Sequence, residues 1–317
     1  MMGTEKKKKK GYKLTIGPNR ELLVKSPKAW LYILPPLIVF LAFVFYPMLS
    51  VLRTSFYEKY VYITSTGKGF GLASFQYVLN DKTFWLACKN TGILILVALP
   101  ITVILSLSIA LKINSIKRLQ GFFQTLFFTP YVTSTVAIGT VFYTLFHSQH
   151  GYINYFLSLF GVDTINWLTD SNTVIWALCI FCIWNGLAFK IVLFLAGLQK
   201  IDKQVYKAAK IDCAKPGKTL FKITLPLLSP TLWMVVIVSV IYVARTYNEV
   251  FSLFTSVNAN TAGPGNSAIT IAYYIYYYFF VRNQVNYAAA AAVLFLLVIM
   301  ALTILQRVIS RKFVHYY

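Results

Sequence analysis

Tyr242, Arg245, Asn248, Glu249 and Ser252 stand in an otherwise apolar run spanning 231–256. At helical spacing they share one face. Counted from Thr231, Arg245 lies roughly 21 Å along such a helix at about 1.5 Å per residue. That is past the middle of a hydrocarbon core of about 30 Å. An ionisable group at this depth costs at least about 2.5 kcal/mol unless it meets a partner or water. Glu249, four residues on, is placed to pair with Arg245. Such a stripe either locks neighbouring helices together or lines a path for a polar solute. Trp184 and Asn185, in the apolar run before it, are expected to face the same cavity.

Other chemistries find little support. Gly217-Lys218-Thr219 matches the end of a phosphate-binding loop, but Asp212 occupies the position of the first glycine. Without that glycine the backbone amides cannot wrap a phosphate. Cys179 and Cys182 lie three apart in an apolar run with no second pair or His beside them, which reads as packing. His147, His150 and His315 form no metal set, and no nucleophile–base arrangement stands out. The chain is expected to be no enzyme and to bind no cofactor. A pump built on it takes its energy from a partner that hydrolyses ATP with Mg.

The chain of 317 residues is 58% hydrophobic and 12% charged, against about 25% charged in soluble domains. Six apolar runs are long enough to span a bilayer: 29–52, 84–111, 122–146, 174–198, 231–256 and 287–305. The first is longer than a signal-peptide core and lacks a small-residue cleavage site, so it is kept as a span. With the N-terminus inside, the inside segments hold 22 of the 30 Lys and Arg residues and the outside segments six. That asymmetry predicts both termini in the cytoplasm. It also reads the net charge of +21 as membrane orientation near anionic lipid, with no nucleic-acid partner. The expected organisation is a basic arm (1–28, with Lys6 to Lys10 consecutive), a six-helix membrane domain (29–306) and a short tail (307–317).

Prolines punctuate the spans at Pro35, Pro36, Pro47, Pro100 and Pro130, and Thr129-Pro130 predicts a kinked third span lined by Thr133, Ser134 and Thr135. The loop 258–286 is dense in Tyr. It reads either as an interfacial aromatic belt or as a surface that stacks on sugar rings. Between the fourth and fifth spans lies a Lys-rich island, 206–230, too charged for a bilayer. Its AAKIDCA segment can form a short helix, with Pro216-Gly217 expected to end it and a second short helix to run on to Pro226.

The island resembles the signature loop of binding-protein-dependent ABC importer permeases, whose pattern is E-A-A-x-x-x-G followed by I-x-L-P. Ala208, Ala209, Asp212, Ala214, Phe221, Ile223, Leu225, Pro226 and Pro230 fit the carbohydrate-importer version. Lys207 stands where Glu is usual and reverses a charge; Cys213 stands where Gly is usual and narrows a close approach. Further segments match in order: 71–91, FFQTLFFTPYV, GYIN, NWL, WNGLAF, LAGLQKI and AGPGNSAITIAYYIY. The chain therefore resembles the first, larger permease of the maltose-type subfamily. That resemblance implies an all-α ABC importer type I permease fold with a cytoplasmic coupling helix in the loop 200–228. It implies a second homologous permease, an ABC ATPase dimer beneath and an extracytoplasmic solute-binding protein above. It places Lys207, Ala208, Ala209, Asp212, Cys213, Ala214 and Pro226 at the ATPase dock. It puts Arg245, Thr246, Asn248 and Glu249 at a sugar site, with Tyr242, Ser252, Trp184 and Asn185 on the pathway. The implied function is ATP-driven uptake of a sugar or oligosaccharide by alternating access across the bacterial cytoplasmic membrane. An acidic or phosphorylated solute such as glycerol phosphate is an alternative, because Arg245 offers a bidentate fork. A secondary transporter using Arg245 and Glu249 as an ion relay is another, but such a protein needs no motor dock.

Overall fold

The computed structural model describes residues 27–64, 66–116, 118–254 and 261–313. Most of the expected basic arm, the end of the tail and residues 258–260 of the Tyr-rich loop lie outside the described residues. The chain divides into two units, Met1–Leu49 and Ser50–Tyr317. Helix α1 (Leu31–Ser55) begins in the first and ends in the second. Its residues from 31 to 53 are all exposed, and Pro35 and Pro36 do not end it. A helix apolar and exposed along most of its length suits lipid or another membrane helix.

In the second unit a hairpin comes first, β1 (Tyr57–Val61) antiparallel to β2 (Thr66–Phe70) with Lys59 opposite Lys68. The all-α expectation did not include it. Then follow α2 (Ala73–Asn80), α3 (Lys82–Ser115), α4 (Gln120–Val132), α5 (Thr135–Leu145), α6 (Tyr152–Ser158) and α7 (Val174–Gln199). The chain closes with α8 (Lys203–Ile211), α9 (Pro216–Ala244), α10 (Asn248–Phe254), α11 (Ile271–Val281) and α12 (Val285–Phe313). Among the described residues, α1, α3, α7, α9 and α12 contain runs long and apolar enough to cross a membrane, and α4 with α5 makes a sixth crossing if counted as one.

Helix α7 is the hub, packing on α3, α4, α5, α9 and α10. Phe181 and Phe194 on it are fully buried, the first beside Phe142 of α5 at a ring separation of 4.8 Å. In lipid, apolar burial alone gains little, so close packing through small residues sets the contacts. Gly139 of α5 lies against Ser252 of α10, and Gly197 of α7 lies against Leu228 and Thr231 of α9; a Cβ at either glycine would overlap those side chains.

The expected third span is broken outright. Helices α4 and α5 meet at 94°. The break falls at Thr133 and Ser134, both with extended ψ, three residues after Pro130. Thr129 Oγ1 donates to the Thr125 carbonyl, and the Thr133 amide donates to the Pro130 carbonyl, which closes α4.

The Tyr-rich loop has a role that neither reading included. Tyr273 and Tyr274 are fully buried and Tyr278 nearly so, leaving Phe280 as its exposed ring. Tyr274 and Tyr278 each donate to Asp81 Oδ2 at 2.8 Å, while Asp81 Oδ1 accepts from the Thr83 amide at the start of α3. Burial alone would raise the Asp81 carboxyl; the hydrogen bonds from Tyr278, Thr83 and Tyr274 outweigh it and hold it below its ordinary value. Asn90 Nδ2 donates to the carbonyls of Ser267 and Ile269, and Thr91 Oγ1 accepts from the Ile271 amide. The rings and amides of this loop thus fasten α11 to α3.

The island also differs from expectation. Asp202 caps α8 by accepting from the Gln204 amide. The helix ends at Cys213, whose φ is 50°. The Cys213 amide donates to the Lys210 carbonyl and the Ala214 amide to the Ala209 carbonyl, the pairing of a Schellman motif. Pro216, expected to end a helix, starts one instead: its missing N–H is no loss at a first helical position. From there α9 runs without interruption to Ala244. The usual Gly at position 213 therefore answers a backbone demand rather than a close approach, since a side chain in the left-handed region costs about 1–2 kcal/mol.

Two outcomes are expected. Asp81→Asn keeps an amide oxygen for the Thr83 cap but removes the acceptor shared by Tyr274 and Tyr278, lowering stability by about 1–2 kcal/mol. Because its folded pKa is depressed, the carboxylate's contribution is complete at neutral pH and fades as pH falls below about 4. A melting temperature in detergent that does not drop in the variant would refute the anchor. Cys213→Gly is expected to raise local stability of the 203–215 segment by about 1 kcal/mol, read as slower amide exchange there; unchanged or faster exchange refutes the strain.

Candidate functional site

The sequence placed Tyr242, Arg245, Asn248, Glu249 and Ser252 along one helix. The structure does not. Helix α9 stops at Ala244, Arg245 to Tyr247 are not helical, and α10 starts at Asn248. No glycine or proline marks the break. It is held from a distance: Thr270 Oγ1, fully buried, donates to the Thr246 carbonyl at 2.6 Å. That bond takes up a carbonyl which a continuous helix would have satisfied.

The break turns the polar residues in different directions. Glu249 is buried and accepts from Tyr242 Oη at 2.8 Å and from Asn185 Nδ2 at 3.2 Å. Asn185 Nδ2 also donates to Tyr242 Oη at 2.7 Å. These three, from α7, α9 and α10, form one cluster. Arg245 and Asn248 are exposed at the break. The expected Arg245–Glu249 pair is not formed. Thr246 and Ser252 are buried with their hydroxyls turned inward, Thr246 Oγ1 to the Val243 carbonyl and Ser252 Oγ to the Glu249 carbonyl. Trp184 is partly exposed beside Phe142. With Asn185 it lines a cleft of about 230 Å³ that Leu126, Phe127, Pro130, Leu187 and Ala188 complete. Asn185 and Trp184 thus face α4 across this cleft, and Asn185 bonds to the two residues that flank the break between α9 and α10.

The buried cation of this region is Lys190, which the sequence reading passed over. It is 5% exposed, donates to the Gly186 carbonyl at 3.0 Å, and its Nζ lies 5.5 Å from the Tyr242 ring centre. A lone Lys in the middle of a 26-residue apolar helix was the available signal. Tyr242 therefore stands between Glu249 and Lys190, bonding one through its hydroxyl and facing the other with its ring. The cluster offers hydrogen-bond donors and acceptors and no nucleophile positioned by a base. Among the described residues, no group of three or more His, Cys, Asp or Glu side chains could hold a metal ion.

The residues of the expected ATPase dock lie at the far end of α7 from the 148–173 loop, on α8 and the start of α9. Lys207, Ala208, Asp212 and Cys213 are exposed, Ala214 and Pro226 half-buried, and Ala209 buried. Tyr206 Oη and Thr224 Oγ1 share a hydrogen bond at 3.3 Å that ties α8 to α9. Two apolar side chains stand out on this surface, Ile211 at 81% and Phe221 at 69% exposed. Lys207, Lys210, Lys215, Lys218 and Lys222 share the same segment, all exposed. Neither Ile211 nor its exposure was anticipated.

The chain is similar to the lactose transport system permease protein LacF of Rhizobium radiobacter, 33% identical over 254 residues covering 78% of this chain and 81% of that protein. It is also similar to the trehalose/maltose transport system permease protein MalF of Thermococcus litoralis, 30% identical over 244 residues covering 77% and 80%. Its fold matches a chain of a bacterial ABC transporter that imports the acidic polysaccharide alginate, with a TM-score of 0.74 at 23% identity over 90% of this chain and 95% of that one. The pattern of one family, described as the binding-protein-dependent transport system inner membrane component, matches residues 102–315. That range takes in both helix breaks, the Asn185–Tyr242–Glu249 cluster and the α8 loop, and the protein belongs to this family.

Proposed function

We propose that this chain is one of two permease halves of an ATP-driven importer for a sugar or oligosaccharide. The observation that carries the reading is the break at Arg245–Tyr247. It leaves Arg245 and Asn248 exposed at membrane depth beside the Asn185–Tyr242–Glu249 cluster. Hydroxyl-rich solutes both donate and accept hydrogen bonds, and this mixed set suits them. A solute-binding protein delivers the sugar on one side, and an ATPase dimer on the other supplies the energy with ATP and Mg. Both termini lie on the ATPase side, as the Lys and Arg distribution supports.

The shape of α9 supports the coupling. It runs unbroken from Pro216, next to α8, to Ala244, next to the break. Its 29 residues span about 43 Å at about 1.5 Å each. A push on α8 by the closing ATPase is transmitted along this rod to the solute site, and the helices switch between inward- and outward-open packings. Ile211 and Phe221 are the apolar contacts this dock offers, ringed by lysines. Lys207 reverses the charge of the Glu in the family pattern the island resembles, so the ATPase meets a more basic knob.

A second reading is favoured by one observation: Arg245 is exposed at the break while Glu249 is engaged elsewhere. A free guanidinium suits an acidic or phosphorylated solute. Both readings use the same residue, and both make one prediction. Arg245→Ala lowers uptake at least about tenfold, the loss expected for a hydrogen bond to a charged group of roughly 1.5–3 kcal/mol, while the complex stays assembled. Unimpaired uptake into proteoliposomes removes Arg245 from the pathway. Competition by neutral and by acidic saccharides then separates the two solute classes. For the dock, deletion of 206–214 is expected to strip the ATPase from the membrane subunits. Co-purification of an active ATPase with the deletion variant would count decisively against it.

A further inference from the structure

Helix α6 has two faces of opposite character. Its inner face is Ile153, Asn154 and Leu157. Ile153 packs against the main core, and Asn154 is buried. Asn154 Nδ2 donates to the carbonyls of Ser148 and Ile165, and Asn154 Oδ1 accepts from Trp167 Nε1 at 2.9 Å. The helix ends in a Schellman motif at Gly161, whose φ is 76°, with the Val162 amide donating to the Leu157 carbonyl. These bonds hold α6 in one orientation on the protein.

The outer face is a stripe of Tyr152, Tyr155, Phe156, Leu159 and Phe160, spaced i, i+3, i+4, i+7 and i+8. They are 70%, 67%, 60%, 66% and 71% exposed. The rings of Phe156 and Phe160 pack on one another at 5.2 Å. A stripe of this kind facing water is costly and marks a contact. Three observations identify what it contacts. No Lys, Arg, Asp or Glu lies between Ser148 and Val162, so the stripe and its flanks offer nothing charged to a soluble protein. Helix α6 follows a short turn after α5, one half of the broken apolar pair of a membrane component, and so sits where that pair leaves the bilayer. The α4–α5 pair itself presents exposed Leu126, Val132, Val136 and Val141, an apolar exterior to which the stripe adds. Tyr with Phe and Leu is the composition of membrane interfaces, where ring bodies enter the acyl boundary and hydroxyls stay among headgroups.

We propose that α6 lies flat on the phospholipid surface and anchors the 148–173 loop there. Held by Asn154 on one face and by lipid on the other, the loop keeps a set height above the membrane. The proposal does not depend on the solute or on the coupling mechanism.

Spin labels test it on the full chain in vesicles of phosphatidylethanolamine and phosphatidylglycerol. Cys88 and Cys213 are replaced by Ser, and single cysteines are introduced as Tyr155→Cys, Phe160→Cys or, for comparison, Gln149→Cys. Labels at 155 and 160 are expected to be relaxed severalfold more by oxygen, which concentrates in lipid, than by a water-soluble nickel chelate. The label at 149 is expected to show the reverse. Nickel-dominated relaxation at both 155 and 160 overturns the proposal. So does nickel access that is lost only when a solute-binding protein is added, which would make the stripe a protein-docking face.

Discussion

A helix inside a bilayer can be interrupted only if something else takes up the backbone groups it releases. The bond from Thr270 Oγ1 to the Thr246 carbonyl meets that condition, and much of the site depends on it. With the bond in place, α9 stops at Ala244 and α10 starts afresh at Asn248. Glu249 then turns inward to Tyr242 and Asn185 while Arg245 and Asn248 stay accessible. A continuous helix would have put all of them on one stripe and paired the two charges.

Thr270 can reach the break because α11 is fastened to α3. Asn90, Thr91 and the Asp81–Tyr274–Tyr278 cluster make that attachment. The dense tyrosines of this loop therefore act as internal scaffold. The hydroxyls of Tyr274 and Tyr278 find an acceptor in Asp81, as buried phenols need. The architecture links three levels: an extramembrane anchor, a positioned α11, and a helix break at membrane depth. The unbroken α9 adds the fourth, a rod from the Lys-rich α8 segment to that break.

Charge placement follows the same logic. Lys190 is buried, bonded to a carbonyl and facing a ring. Glu249 is buried with two hydrogen-bond donors. Tyr242 bridges them. Separating the cation that is buried from the cation that is exposed leaves Arg245 at the break and commits Lys190 to the helix interior. Lys190 and Arg245 thus have different surroundings, a distinction invisible in a count of charges.

The amino-acid sequence by itself determined the class of this protein: its apolar runs, their number, the Lys-rich segment between them and the polar residues within them. These are local and compositional, and a bilayer reads them directly. The order of dispersed motifs was equally legible and pointed to the family that residues 102–315 match. Tertiary structure decided where helices end. Pro130 signalled a kink, but the 94° break falls at Thr133 and Ser134, where extended backbone replaces a bend. The break after Ala244 has no local signal, because its stabilising partner lies 24 residues away. Cys213 shows the same limit: its positive φ follows from the amide–carbonyl pairing that closes α8, and its residue type suggested no such thing. Spacing predicts a shared face only while a helix continues, and whether it continues is set by which distant group satisfies its backbone.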